Sequence, residues 1–225
     1  YLLDSRCDGV IIYPRFLSVE EMDELIEQHS QPIMVLNRRL RRHPAHCVYS
    51  DQQAAAAAVV ERLVGMGHSD IAFITGSADS PTGMERLAGY REALARHDIP
   101  VQEALIVPGK WTPACGAAAV STLLARGVSF TALIASDDDM AIGAIKQLHE
   151  CGVSVPEQVS VVGFDDIALA PYVIPSLASV KMPVTEMIQE TINRLITMVE
   201  EGEPEALPSF SGKLVRRDSL KRLLE

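Results

Sequence analysis

Short, unbroken apolar runs alternate with longer amphipathic stretches along this chain. The run at 9–13, Gly9-Val10-Ile11-Ile12-Tyr13, is stopped by Pro14 and predicts a buried strand. Ser18, with Glu21 three residues on, forms a capping-box pattern that opens a helix with Val19, Met22, Leu25 and Ile26 on its apolar face. Strands follow at 32–36 and 47–49, and Asp51 can cap an alanine-rich helix over 52–66 that Gly65 and Gly67 end. The pattern then becomes regular. Strand 71–75 leads to helix 83–97, strand 104–107 to helix 113–126, and strand 131–135 to helix 138–151; a further strand, 159–163, ends at Phe164-Asp165-Asp166. A proline-punctuated stretch at 171–183 precedes a helix from about 184 to 201, and short strands near 206–210 and 213–216 close the chain.

The strands are continuously apolar rather than alternating, as strands covered on both faces are. Alternation of such strands with helices predicts an α/β protein with parallel sheets. The regular βα units occupy 69–163. Residues 1–49 supply only two or three strands and one helix, too little for an independent open sheet. Tyr1-Leu2-Leu3-Asp4-Ser5-Arg6 reads as the last turn of a helix that begins earlier, so a first lobe that is N-terminally incomplete is expected, followed by a complete second one.

Composition sharpens this picture. With 225 residues and 48% hydrophobic content, the chain can bury a sizeable core without staples. Twenty lysines and arginines stand against 30 aspartates and glutamates, and the net charge of −10 argues that this portion does not itself grip nucleic acid. Cys7, Cys47, Cys115 and Cys151 form no CxxC pair and have no HxxH partner, so buried free thiols in a reducing cytoplasm are expected, with no metal. No apolar run approaches the roughly 18 residues of a membrane span, and the first residues show no signal-peptide pattern.

In open parallel sheets, ligands bind outside the carboxyl ends of the strands. That rule selects Asn37 after strand 32–36, Tyr49 at the end of the third strand, and Thr75-Gly76-Ser77 with the loop leading to Arg86. It also selects Trp111 after strand 104–107, Ser136-Asp137-Asp138-Asp139 after strand 131–135, and Asp165 and Asp166 after strand 159–163. Carboxylates and amides suit hydroxyl groups, and flat aromatics cover the apolar face of a sugar ring, so this set favours a sugar-like polyol. Each position also has a structural reading. An aspartate after a strand is often a helix N-cap, Asp138 or Asp139 here, and a lone tryptophan is often core. Arg38-Arg39 and Arg41-Arg42 read as a solvated loop, and His68 as a helix-terminal residue complementing the dipole. No GxSxG, GxxxxGK[ST] or GxGxxG is present, so neither an enzyme nor a cofactor is indicated.

Several strings resemble the lactose/galactose repressor family of bacterial transcription regulators. They are Gly67-His68-Ser69-Asp70-Ile71-Ala72-Phe73-Ile74, Glu85-Arg86-Leu87-Ala88-Gly89-Tyr90, Asp138-Asp139-Met140-Ala141-Ile142-Gly143-Ala144, Val159-Ser160-Val161-Val162-Gly163-Phe164-Asp165-Asp166 and Leu214-Val215-Arg216-Arg217-Asp218-Ser219. Leu36-Asn37-Arg38-Arg39-Leu40 and Gly109-Lys110-Trp111-Thr112-Pro113 are most similar to its galactose repressor and isorepressor branch.

The resemblance implies a periplasmic-binding-protein-like fold of type I, with two doubly wound parallel-sheet lobes and three crossovers near 49–51, 180–183 and 202–206. The lobes would be 1–49 plus 182–203 and 51–180 plus 206–225. It implies a galactose-like effector between the lobes, homodimerisation, and operator DNA read by a headpiece that is not in this sequence. By this resemblance Arg86 clamps sugar hydroxyls or carboxylates, Trp111 is the ring platform, Tyr49 and Asn37 are an aromatic and a polar contact, Asp165 accepts from hydroxyls and Met182 is a crossover contact. Asp137 departs from the family, which commonly has an amide there; a carboxylate accepts but cannot donate. The alternative on the same fold is a periplasmic sugar-binding protein of a transport system.

Overall fold

A computed structural model describes residues 7–14, 17–202, 205 and 210–223. The helical turn expected at 1–6 and the strand positions 206–209 lie outside the described residues. The chain divides into two compact units, one of Tyr1–Asp51 with Pro183–Ser211 and one of Gln52–Met182 with Gly212–Glu225, so it passes from one to the other three times.

The first unit has a three-stranded parallel sheet of β1 (Val10–Ile12), β2 (Ile33–Leu36) and β3 (Cys47–Val48), in that order. Its register pairs Val10 with Ile33 and Val35 with Cys47. Helix α1 (Val19–Gln28) starts where the capping box predicts: Glu21 N–H donates to Ser18 Oγ at 3.1 Å, and Ser18 N–H donates to Glu21 Oε2 at 2.8 Å. Met22 of α1 packs with Val35, Leu40 and Cys47 on one side of the sheet. Met187 and Met198 of the long helix α6 (Val184–Glu200) pack with Met34 and Val48 in a second cluster. The basic loop is held as well as solvated: Arg42 pairs with Glu27 at 2.7 Å, and Arg41 lies 3.5 Å from Glu20. Phe210 belongs here rather than with the residues after it, because its N–H donates to the Tyr49 carbonyl at 3.0 Å and its carbonyl accepts from Asp51 N–H at 2.9 Å.

The second unit holds a six-stranded sheet in the order β5-β4-β6-β7-β8-β9. The strands are β4 (Ile71–Ile74), β5 (Ile106–Val107), β6 (Ala132–Ala135), β7 (Ser160–Phe164), β8 (Ala178–Lys181) and β9 (Lys213–Val215). Five are parallel, and β9 adds antiparallel to β8. Side chains alternate between two cores. Ile71, Phe73, Ala132, Ile134, Val162 and Phe164 face α2 (Gln52–Val64) and α3 (Pro81–Arg96), whereas Ala72, Ile74, Leu133, Ala135 and Val161 face α4 (Pro113–Ala125) and α5 (Asp138–Glu150). This two-sided burial is why the strands read as unbroken apolar runs.

Three features differ from the sequence expectation. Strand β8 lies inside the stretch that its prolines mark as irregular, because Pro175 and Pro183 flank the strand rather than interrupt it. His68 does not act as a charged helix terminus: it is buried, its Nδ1 lies 2.9 Å from Thr131 Oγ1 and its Nε2 2.9 Å from the Lys221 carbonyl. Burial pushes its pKa down and favours the neutral ring, with the Lys221 bond opposing. All four cysteines are free, but only Cys47 is buried; Cys7 and Cys115 are half-buried and Cys151 is exposed.

Candidate functional site

In the second unit, β4 leads to β5 on one side while its neighbour β6 leads to β7 on the other, so the chain order reverses between β4 and β6. A crevice is expected at such a switch point, outside the carboxyl ends of the strands. Arg86 enters this place from the first turns of α3. Its side chain is 3% exposed. Nε donates to Gln52 Oε1 at 2.9 Å, Nη2 donates to Asp165 Oδ1 at 2.9 Å, and Nη1 donates to the carbonyl of Ser136. The guanidinium also stacks 4.3 Å from the centre of the Phe164 ring. Buried on every side, it is a fixed part rather than a mobile arm, and Asp165, 47% exposed, is what it presents.

The backbone here is unusual. Trp111, Asp165 and Asp166 have φ values of 61°, 93° and 48°, in the left-handed region that side chains other than glycine seldom adopt. Such outliers gather at functional sites, where surrounding structure holds them. The Trp111 ring is seated by two neighbours: Nε1 donates to Ser77 Oγ at 2.9 Å, and a Cβ on Gly76 would fall on the indole. The absence of a side chain at residue 76 is therefore what lets the indole lie where it does.

Asp137 is 8% exposed and is the N-cap of α5, with Oδ1 accepting from Met140 N–H at 2.8 Å. The cap thus falls on Asp137 rather than on Asp138 or Asp139. Burial pushes the Asp137 pKa up to about 6, the charges of Asp165 and Asp139 add to the rise, and the Met140 bond and Arg86 oppose it. Asp138 is wholly buried beneath the sheet end. Burial takes its pKa up to about 7 against hydrogen bonds from Ser179 and Ile167. Met182 is buried in the core beside α2, against Gly212, so it lines the interior of this unit.

The structure thus gathers Arg86, Asp165 and Asp137 at one set of strand ends, with the seated Trp111 at the neighbouring edge. Asn37 and Tyr49 belong to the first unit, where they likewise follow strand ends. Asn37 has a φ of 64°, its N–H donates to the Val48 carbonyl at 2.7 Å, and its side chain lies 3.5 Å from Tyr13 Oη. Arg39 lies 5.7 Å over the Tyr49 ring. Gln52 and Phe164, which hold Arg86, were not legible as site residues; Gln52 opens a helix 34 positions away in sequence. Among the described residues, no group of histidine, cysteine and carboxylate side chains could hold a metal, and no helix is long and apolar enough to cross a membrane.

A mostly parallel open sheet thus carries an arginine-clamped carboxylate and a seated indole at its switch point, where folds of this class place ligand crevices. Residues 60–220 match the family described as a periplasmic binding protein-like domain. The chain is 63% identical over 220 residues to the HTH-type transcriptional regulator AscG of Escherichia coli strain K12, covering 98% of this chain and 66% of that protein. It is 32% identical to the HTH-type transcriptional regulator GalR of Salmonella typhimurium, covering 97% of this chain and 64% of that protein. A solved structure of a sugar-binding transcriptional regulator of the LacI family from Escherichia coli, complexed with phosphate, superposes with a TM-score of 0.96 at 62% identity, over 99% of this chain and 80% of that one. The chain belongs to the periplasmic binding protein-like family and, within it, to the effector-binding domains of LacI-family transcriptional regulators. It spans just under two thirds of the length of the curated relatives it matches.

Proposed function

We propose that this chain senses a neutral sugar for a dimeric, cytoplasmic transcription repressor, and that sugar binding alters affinity for operator DNA held by a headpiece elsewhere in the protein. The observation that carries the reading is Asp165: a half-exposed carboxylate on a left-handed residue, clamped by a buried arginine at the sheet's switch point. A free carboxylate oxygen accepts from sugar hydroxyls, Asp137 offers a second acceptor, and the Trp111 ring suits an apolar sugar face. Asn37, Tyr49 and Met182 are retained as further effector-binding candidates. Aspartates 137, 138, 139, 165 and 166 outnumber Arg86 and Arg217 here, which disfavours anionic sugars.

Binding can shift DNA affinity only by the effector's differential affinity for the two states of the protein. The relatives are regulators, which favours regulation over transport and over catalysis. The effector proposed first is galactose-like, although the identity to AscG is about twice that to GalR.

The test is calorimetry on the full-length protein with D-galactose, D-glucose, cellobiose and D-galacturonate, with the fluorescence of Trp111, the sole tryptophan of these 225 residues, as a second readout. Binding of a neutral sugar with a change in indole emission, and none of galacturonate, is expected. Silence toward every sugar, with tight binding of a purine, refutes the reading.

A further inference from the structure

Asp138 lies behind Asp165 rather than beside it, and its two oxygens reach the same turn. Oδ1 accepts from Ser179 Oγ at 2.6 Å, and Oδ2 accepts from the Ile167 N–H at 2.9 Å. Ser179 Oγ in turn accepts from the Asp166 N–H at 3.0 Å. The amides of both residues following Asp165 are thus caught by one buried carboxylate and its hydroxyl partner. The turn they belong to holds two consecutive left-handed aspartates, Asp165 and Asp166. Gly163, two residues earlier on β7, leaves the room for this: a Cβ there would fall on Asp138 Oδ1.

A buried carboxylate that accepts one bond from a strained turn and another from the serine holding that turn needs a reason beyond stability, since burying its charge is unfavourable. We propose that Asp138 is a positioning residue: through Ser179 and the Asp166 and Ile167 amides, it fixes the left-handed turn that presents Asp165 to the effector. This rests on the reading of Asp165 as an effector contact. The ionised carboxylate accepts both bonds, whereas the protonated one replaces an acceptor oxygen with a hydroxyl. The raised pKa of Asp138, about 7, places that change near neutrality. The charged groups around it are Asp137 and Asp139 on α5 and its N-cap, Asp165 and Asp166 after β7, Arg86 from α3, and Arg217, which pairs with Asp166 at 2.7 Å.

The test uses full-length protein carrying Asp138→Asn or Ser179→Ala, titrated with D-galactose, D-glucose and cellobiose across pH 6 to 8, with hydrogen exchange read at the Asp166 and Ile167 amides. Asparagine keeps the size but replaces one of the two acceptor oxygens with an NH2, so the Ile167 amide and the Ser179 hydroxyl can no longer both donate to it. Each variant should weaken sugar binding about tenfold and release a turn amide, Ile167 or Asp166 in Asp138→Asn and Asp166 in Ser179→Ala. Wild-type affinity should rise with pH through about 7, and Asp138→Asn should lose that rise. Should Asp138→Asn fail to fold, Ser179→Ala decides alone. Wild-type affinity in a variant whose amides stay protected overturns the proposal. If no sugar binds the wild type, the sugar reading fails, and the exchange data still settle whether Asp138 holds the turn.

Discussion

The two units solve the same problem at different depths. The second buries both faces of its central strands β4, β6 and β7, and its two cores interlock through every strand from β4 to β7. The first has three short strands and two small clusters of buried residues. The exposed large apolar side chains divide the opposite way. Val184, Ile188, Ile192, Ile196 and Val199 run along the outer side of α6, and Ile11, Tyr13 and Leu17 add to them in the same unit. A residue half in water contributes only part of the ~1.5–3 kcal/mol that full burial of such a side chain gives. Within these 225 residues the second unit is therefore expected to carry most of the stability, and the first to open more readily.

The sharpest way to break that comparison is at the centre of the second unit. Arg86→Met leaves the Ser136 carbonyl, Gln52 and Asp165 without their donor. It should lower stability by about 3 kcal/mol, with the exposure of Asp165 keeping the loss at the lower end for a broken buried pair, and should abolish sugar binding. Calorimetry reads both effects; a midpoint unchanged within a degree would contradict the role given to Arg86.

Ile33→Ala in the first unit should also cost about 3 kcal/mol, but locally. Hydrogen exchange should quicken in β1, β2 and α6 while β4, β6 and β7 stay protected. Equal loss of protection in both units would show one cooperative block instead of two.

A smaller effect is expected at the aromatic edge. Gly76→Ala pushes the indole from its seat, at about 1–2 kcal/mol of strain. Trp111 emission should shift to the red, with sugar affinity down about tenfold. Unaltered emission would mean that Gly76 does not seat the ring.

The smallest effect concerns pH. Asp137 and Asp138 have folded pKa values above their unfolded ones, so the folded state binds more protons than the unfolded state between about pH 4 and 7. Their burial therefore lowers stability as pH rises through that window. His68, whose pKa is lowered, acts oppositely: its contribution is lost as pH falls below about 6.5. Asp137→Asn keeps a good N-cap and removes one buried charge, so it should stabilise the protein by about 1 kcal/mol at pH 7.5 and flatten the slope between pH 4 and 6. A thermal-melt series against pH checks this, and a steeper slope in the variant would reverse the assignment.

Much of this architecture is legible in the sequence because parallel strands covered on both sides leave an unmistakable rhythm. The run from Ile71 to Phe164 and the capping box at Ser18 are cases where local pattern and tertiary packing agree. Strand-end position alone brought out Arg86, Trp111, Asp137 and Asp165. What stayed hidden depends on distance in sequence. β8 is masked by its flanking prolines. Gln52 holds Arg86 from another helix, and His68 reaches Thr131 and Lys221, with nothing local to announce either. The division of labour among three consecutive aspartates is equally invisible, since only the helix start decides that Asp137 caps while Asp138 turns inward.

The place of β9 has a consequence for how this protein is made. The strand that completes the second unit comes from residues 213–215, after the chain has left to build α6 in the other unit and returned. Ser219, just beyond it, donates to the Val161 carbonyl and accepts from the Ala178 amide, while His68 grips the Lys221 carbonyl. On the ribosome, β8 must wait with an unpaired edge until residues 213–215 have been made, more than 30 positions after β8 itself. An edge left open this long is an invitation to mispairing. Truncation just before Lys213 would therefore harm solubility through the exposed β8 edge and the lost Ser219 and Lys221 contacts.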